Sequence, residues 1–102
     1  MRIPKHRPPT HPGEMLAEEF MGPLGLSQTR LAELLGVPFQ RVNRIINKRQ
    51  AVTMDTALRL AALFGTSPQF WLNLQHVWDL YMALRSTEAE RIRKTIKPLR
   101  SA

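Results

Sequence analysis

Three side chains able to read the edges of DNA bases fall within residues 40–44: Gln40, Arg41 and Arg44. An arginine makes two hydrogen bonds to guanine, and a glutamine does the same to adenine. Thr29, Asn43, Asn47, Lys48, Arg49 and Thr53 surround them with the hydroxyl, amide and cationic groups that meet phosphate oxygens. The charge pattern points the same way. Residues 30–49 set Arg30, Arg41, Arg44, Lys48 and Arg49 against Glu33 alone, whereas the rest of 13–84 sets Arg59 against Glu14, Glu18, Glu19, Asp55 and Asp79. A core divided in this way has one basic face and one acidic face, and a polyanion suits the basic one.

Catalytic chemistry finds no comparable set. The chain has no Cys, which removes thiolate nucleophiles, thiolate metal sites and disulfides, and fits a reducing cytoplasm. His6 and His11 fall in a proline-rich arm with no scaffold to fix a metal geometry, and His76 reads as a surface hydrogen-bond partner of Asp79. Ser27, Ser67 and the threonines are helix caps in the making. Glu18 and Glu19 are neighbours and point apart on a helix. The five glycines supply stops and no phosphate-cradling loop. The expectation is a protein that is not an enzyme and carries no cofactor and no metal.

The elements that must position the basic groups are legible as helices. With 102 residues, the chain is long enough for one core and too short for two. No apolar run approaches the ~20 residues that span a bilayer, so no membrane partner is expected. Residues 1–11 hold Pro4, Pro8 and Pro9 with Arg2, Lys5 and Arg7, and read as an extended basic arm. GEMLAEEFM reads as a first helix with Leu16 and Phe20 one turn apart, stopped by Gly22-Pro23. Ser27 caps a second helix with Leu31, Leu34 and Leu35 inward and Gly36 at its end. Pro38 opens a third, in which Val42, Ile45 and Ile46 repeat that spacing. The turn between them is too short for a long hairpin, so a tight helix–turn–helix crossing is expected.

That crossing turns Phe39, Gln40, Arg41, Asn43, Arg44 and Asn47 outward or to the flanks of a rod about 15 Å long, which fits a major groove. Phe39 reads either as a core contact one turn before Val42 or as a contact for a thymine methyl. Gln28, at the start of the second helix, is placed to meet phosphate or to brace Gln40. Thr53 or Asp55 caps a fourth helix, which buries Ala57, Leu60, Ala61 and Phe64 and ends at Gly65. Ser67-Pro68 opens the fifth and longest, to about Leu84, with an apolar stripe of Phe70, Leu74, Val77, Tyr81 and Leu84. Trp71 and Trp78 widen that stripe. Trp71, Trp78 and Tyr81 therefore suggest a dimer or partner surface, with burial inside the monomer as the other reading. Residues 86–102 are assigned as a basic tail able to order on a partner, although Ile92, Ile96 and Leu99 fall nearly in line and Pro98 would end a helix there.

The run SQTRLAELLGVPFQRVNRIINKRQAVTMDTALRLAALFGTSPQFWLNLQ resembles the Xre-type, phage-repressor-like helix–turn–helix domain. With HPGEMLAEEF before it and TSPQFWLNLQHVWDL within and after it, residues 11–84 resemble the HigA (VapI-like) antitoxins of bacterial toxin–antitoxin operons. The resemblance implies an all-α, five-helix domain over 12–85, flanked by flexible basic tails at 1–11 and 86–102. It implies a homodimer on operator DNA that represses its own operon and sequesters a HigB-type toxin, an mRNA endonuclease of the RelE-like class. By position it places Gln28, Gln40, Arg41 and Arg44 toward the groove, and Asn43 and Asn47 near phosphate. Phe39 departs from the polar residue common at its position in phage repressors. Two rival readings share the fold: a stand-alone repressor without a toxin, and an adaptor whose helix–turn–helix has lost DNA.

Overall fold

Six helices make up the computed structural model, which describes residues 8–99. Arg2, Lys5, His6 and Arg7 of the arm, and Arg100 of the tail, lie outside the described residues. Helix α1 is a continuous rod of three parts: an α-turn Pro12–Met15, a π-helical stretch Leu16–Met21 and a final α-turn Gly22–Leu24. Then follow α2 (Gln28–Leu35), α3 (Phe39–Ile46), α4 (Met54–Phe64), α5 (Pro68–Leu84) and α6 (Thr87–Thr95). No described residue is in a strand.

The stop expected at Gly22-Pro23 is instead a change of helical register, and the rod ends at left-handed Gly25. Inside an α-helix the Pro23 ring would collide with the carbonyl four residues back. The π-turn ahead of it widens the ladder, and the Gly22 N–H reaches back to the Ala17 carbonyl. The same widening presents both Leu16, 1% exposed, and Met21 to the core. Phe20 lands in a cluster with Phe64 (4.8 Å between ring centres), Trp71 (5.1 Å) and Phe70 (6.2 Å).

His11 belongs to this rod and not to the arm. It is buried, and its Nδ1 accepts the Gly13 N–H at 2.9 Å as the N-cap of α1. Its ring stands edge-on to Trp78 at 4.9 Å. A polar acceptor just ahead of Pro12 fits the unsatisfied first-turn donors.

Ser27, Thr53, Ser67 and Ser86 each cap the helix that follows, their hydroxyls accepting the N–H three residues on. Thr53 takes the cap of α4, which frees Asp55 for other partners. Pro38 is the N-cap of α3, one position earlier than a first helical residue. The core is built from Leu16, Leu31, Leu35, Val42, Ile45, Leu60 and Trp71 with smaller residues between them. Leu34 is excluded from it and lies 41% exposed.

Along α5 the inward line is Trp71, Gln75 and Trp78, and the stripe from Phe70 to Val77 is only half-buried. Trp71 is 0% exposed, and its Nε1–H donates to Thr66 Oγ1 at 2.8 Å. It is a monomer core residue, which removes it from the partner surface expected of it. Gln75 is buried because two polar groups need it: Oε1 accepts the Val52 N–H at 2.8 Å, and Nε2 donates to Asp79 at 2.9 Å. Asp79 therefore pairs with Gln75 and not with His76.

Residues 87–95 form a regular helix where a tail was expected. Ser86 caps it, Glu88 and Glu90 sit in its first turn, and Arg93 and Lys94 in its last, each charge matched to the helix dipole. It ends at Ile96, ahead of Lys97, whose αR conformation Pro98 disfavours. None of its residues is buried.

Candidate nucleic-acid interface

The placement of α3 begins with a glycine. A Cβ on Gly13 would lie 2.0 Å from the Ile45 carbonyl oxygen, so the first turn of α1 rests directly on the backbone of α3. Val42 and Ile45 lock the other side of α3 into the core. The remaining face is left to solvent. Phe39, Gln40 and Arg44 are exposed, with Gln40 and Arg44 one turn apart on one side of the rod. No described group bonds to either of these two side chains within the chain. Phe39 is 44% exposed at the leading end, which removes the core contact as its role.

Gln28 braces Asn43 and not Gln40: its Oε1 accepts the Asn43 Nδ2–H at 2.9 Å. The pair is partly buried and ties the first turn of α2 to the middle of α3. Gln28 keeps its own amide N–H groups at the open N-terminus of α2, beside exposed Thr29. Asn47 Nδ2 folds back onto the Asn43 carbonyl at 2.9 Å. Thr53 spends its hydroxyl on the cap of α4.

Arg41 is not free. Its Nη1 donates to Asp55 Oδ2 at 2.6 Å, and the same oxygen accepts Arg59 Nε at 3.0 Å. The hydrogen bond from Arg41, then that from Arg59, holds the Asp55 carboxyl below the ordinary carboxylate range. Arg59 also donates through Nη1 to the Leu35 and Gly36 carbonyls at 2.9 and 3.3 Å. The spacing of Asp55 and Arg59, one helical turn, is visible in the sequence. The meeting of Asp55 with Arg41 across two helices is not.

Lys48 and Arg49 part company. Lys48 occupies the left-handed position after α3 with φ 62°, where a glycine is usual. Its N–H bonds to the Ile45 carbonyl, and that of Arg49 to Arg44, closing the end of the helix. The Lys48 ammonium then turns toward α1 and α5, 3.6 Å from Glu14 and 5.4 Å from the centre of the Trp78 ring. Arg49 is exposed, with no acid beside it among the described residues. Arg30 lies near Glu33 at 3.6 Å. Tyr81 carries the Arg85 guanidinium 3.7 Å above its ring, so both are in part engaged within the chain. Among the described residues no three His, Cys, Asp or Glu side chains converge as a metal site would require.

The geometry is that of a braced helix pair presenting one helix outward, and comparison with known proteins identifies it. The family pattern described as "Helix-turn-helix" matches residues 18–71. Antitoxin HigA-1 of Vibrio cholerae is 41% identical over 99 residues, covering 97% of this chain and 90% of that protein. The chain belongs to the HigA-type helix-turn-helix family. Virulence-associated protein I of Dichelobacter nodosus is 45% identical over 85 residues, 83% of this chain and 79% of its own length. The Pseudomonas aeruginosa antitoxin HigA, solved with the higBA promoter, superposes with a TM-score of 0.84 at 38% identity over 90% of this chain and 99% of that one. In this HigA-type chain the matched segment runs from the π-turn of α1 to Trp71, so it takes in both crossed helices and the carboxylate that clasps Arg41.

Proposed function

We propose that this chain is the antitoxin of a type II toxin–antitoxin module, which binds operator DNA as a homodimer and represses its own operon. The observation that carries the DNA reading is the outer face of α3, where Gln40 and Arg44 stand one turn apart, exposed and without intrachain partners. Each is a two-bond reader of a base edge. Arg41 joins them with the N–H groups that Asp55 leaves unused, and Phe39 at the leading end meets a thymine methyl. Gln28 lies at the flank, its amide N–H groups turned to the DNA and its oxygen holding Asn43. Arg49 and Thr29 form the phosphate-facing fringe that sets register without reading sequence, with Asn43, Asn47, Lys48 and Thr53, each already engaged within the chain, at its margin. The Pseudomonas aeruginosa antitoxin HigA solved with the higBA promoter supports this reading.

The homodimer places two α3 helices in successive major grooves about 34 Å apart, and repression follows by occluding the promoter. Half-exposed Phe70, Leu74, Val77 and Tyr81 on α5 are the apolar surface offered to a second protomer or to the toxin. The toxin is of the HigB type, a RelE-like mRNA endonuclease, and both proteins act in the cytoplasm. Induction of the neighbouring small reading frame, with and without this chain, tests the antitoxin reading. Growth arrest relieved by co-expression is expected. Arrest that this chain fails to relieve would leave a repressor without a toxin, and a gel shift on the upstream region would then test the DNA reading alone.

A further inference from the structure

We propose that Asp55 sets the sequence specificity of this protein by clasping Arg41, an inference that rests on the operator-binding reading above. Asp55 lies in the first turn of α4 and bonds to Arg41 of α3 at 2.6 Å and to Arg59 of its own helix at 3.0 Å. Arg59 is in turn fixed to the carbonyls at the end of α2. The carboxylate is thus anchored to the frame that carries both crossed helices. Arg41 is the only one of the proposed base readers held by an ion pair in the described structure.

Two physical consequences follow. A free arginine beside a duplex attracts phosphates of any sequence, and that attraction is the salt-dependent, sequence-blind part of binding. The Asp55 carboxylate at 2.6 Å, shared with Arg59, offsets part of the positive charge there, so Arg41 contributes less to binding at an arbitrary site than a free arginine would. Its planar fork still has further N–H groups, and these gain free energy only where base acceptors stand in the right place. The clasp also restricts the side chain before DNA arrives, which lowers the ordering cost of a specific contact. Asp55 therefore acts as a positioning residue: it weakens wrong sites more than the right one.

The test measures affinity for the operator duplex and for an unrelated duplex of equal length, by fluorescence anisotropy across a salt series. The full chain is compared with D55N, R41A and the D55N/R41A double variant, each checked by thermal unfolding. D55N is expected to tighten the unrelated duplex by roughly three- to tenfold and to steepen its salt dependence by about one unit of log–log slope. With operator affinity little changed, the ratio of operator to unrelated affinity should then fall by roughly the same three- to tenfold. In the R41A background, D55N should change that ratio by less than about twofold, since the effect passes through Arg41. D55S replaces D55N should the latter fail to fold. An unchanged ratio in a folded Asp55 variant that still binds, or the same change with and without Arg41, overturns the proposal. Wild-type protein that does not discriminate between the duplexes overturns the operator-binding reading itself, and this inference with it.

Discussion

Residue-scale contacts explain motifs that spacing alone leaves mute. The Pro12-Gly13-Glu14 triplet that opens α1 is one. Gly13 is where α1 touches the α3 backbone, and no side chain fits there. Gly13→Ala is expected to force the helices apart and cost about 2–3 kcal/mol, lowering Tm on the order of 10 °C in thermal unfolding by circular dichroism. Glu14 has a different task, as a partner of the Lys48 ammonium.

His11 yields a pH dependence with a definite sign. Burial, then the nearby Lys48 charge, pushes its imidazole below the ordinary 6.5, against weaker opposing pulls from Asp79 and Glu14. The folded protein holds it neutral, with Nδ1 as acceptor for Gly13, while the unfolded chain takes up the proton more readily. Its contribution to stability is therefore fully present above pH 6.5 and is lost as the pH falls toward its folded-state value. The Tm of the wild type should drop more between about pH 7.5 and about 5.5 than that of His11→Asn, which retains a capping acceptor but does not titrate there. Parallel pH profiles for the two proteins would sink this account.

At the scale of elements, each helix is defined by its ends, and α6 shows how far that goes. Its cap, its charge distribution and its stop before Pro98 are all local, yet it buries nothing. Such a helix has little tertiary packing to hold it, so its stability depends on the cap and on its ion pairs, Arg91 with Glu88 and Lys94 with Glu90. Ser86→Ala removes a cap worth about 1 kcal/mol. The expected result is faster amide hydrogen exchange across 87–95 with the global Tm unchanged; a lowered Tm would mean that α6 belongs to the cooperative core.

For the whole molecule, the prediction concerns the spacing of two protomers on DNA. If the homodimer reads half-sites one helical turn apart, inserting 5 base pairs between them turns one half-site about 180° away around the duplex. Affinity should fall to the level of an unrelated sequence, and inserting 10 should recover part of it, both read by anisotropy. Equal affinity for all three spacings would indicate that protomers bind independently.

The sequence by itself determined the order of the first five helices, the caps Ser27 and Ser67, the choice of Thr53 or Asp55 for a third, and the crossed pair, because capping residues and i, i+3, i+4 spacing act over a few neighbours. It determined the outward set on α3 for the same reason: burying Val42 and Ile45 leaves Gln40 and Arg44 outside. Tertiary structure decided whatever required residues far apart in the chain to meet. Trp71 is apolar on either reading, and only the aromatic cluster of α1 and α4 made it core. Lys48 is a cation in the sequence, and the left-handed turn sent it to Glu14 and Trp78. Arg41 became a clasped side chain only because α4 starts beside α3, placing Asp55 within 2.6 Å. Short-range propensity carries no information about which distant partner a charge will find, since that is fixed by how the packed helices leave their side chains facing one another.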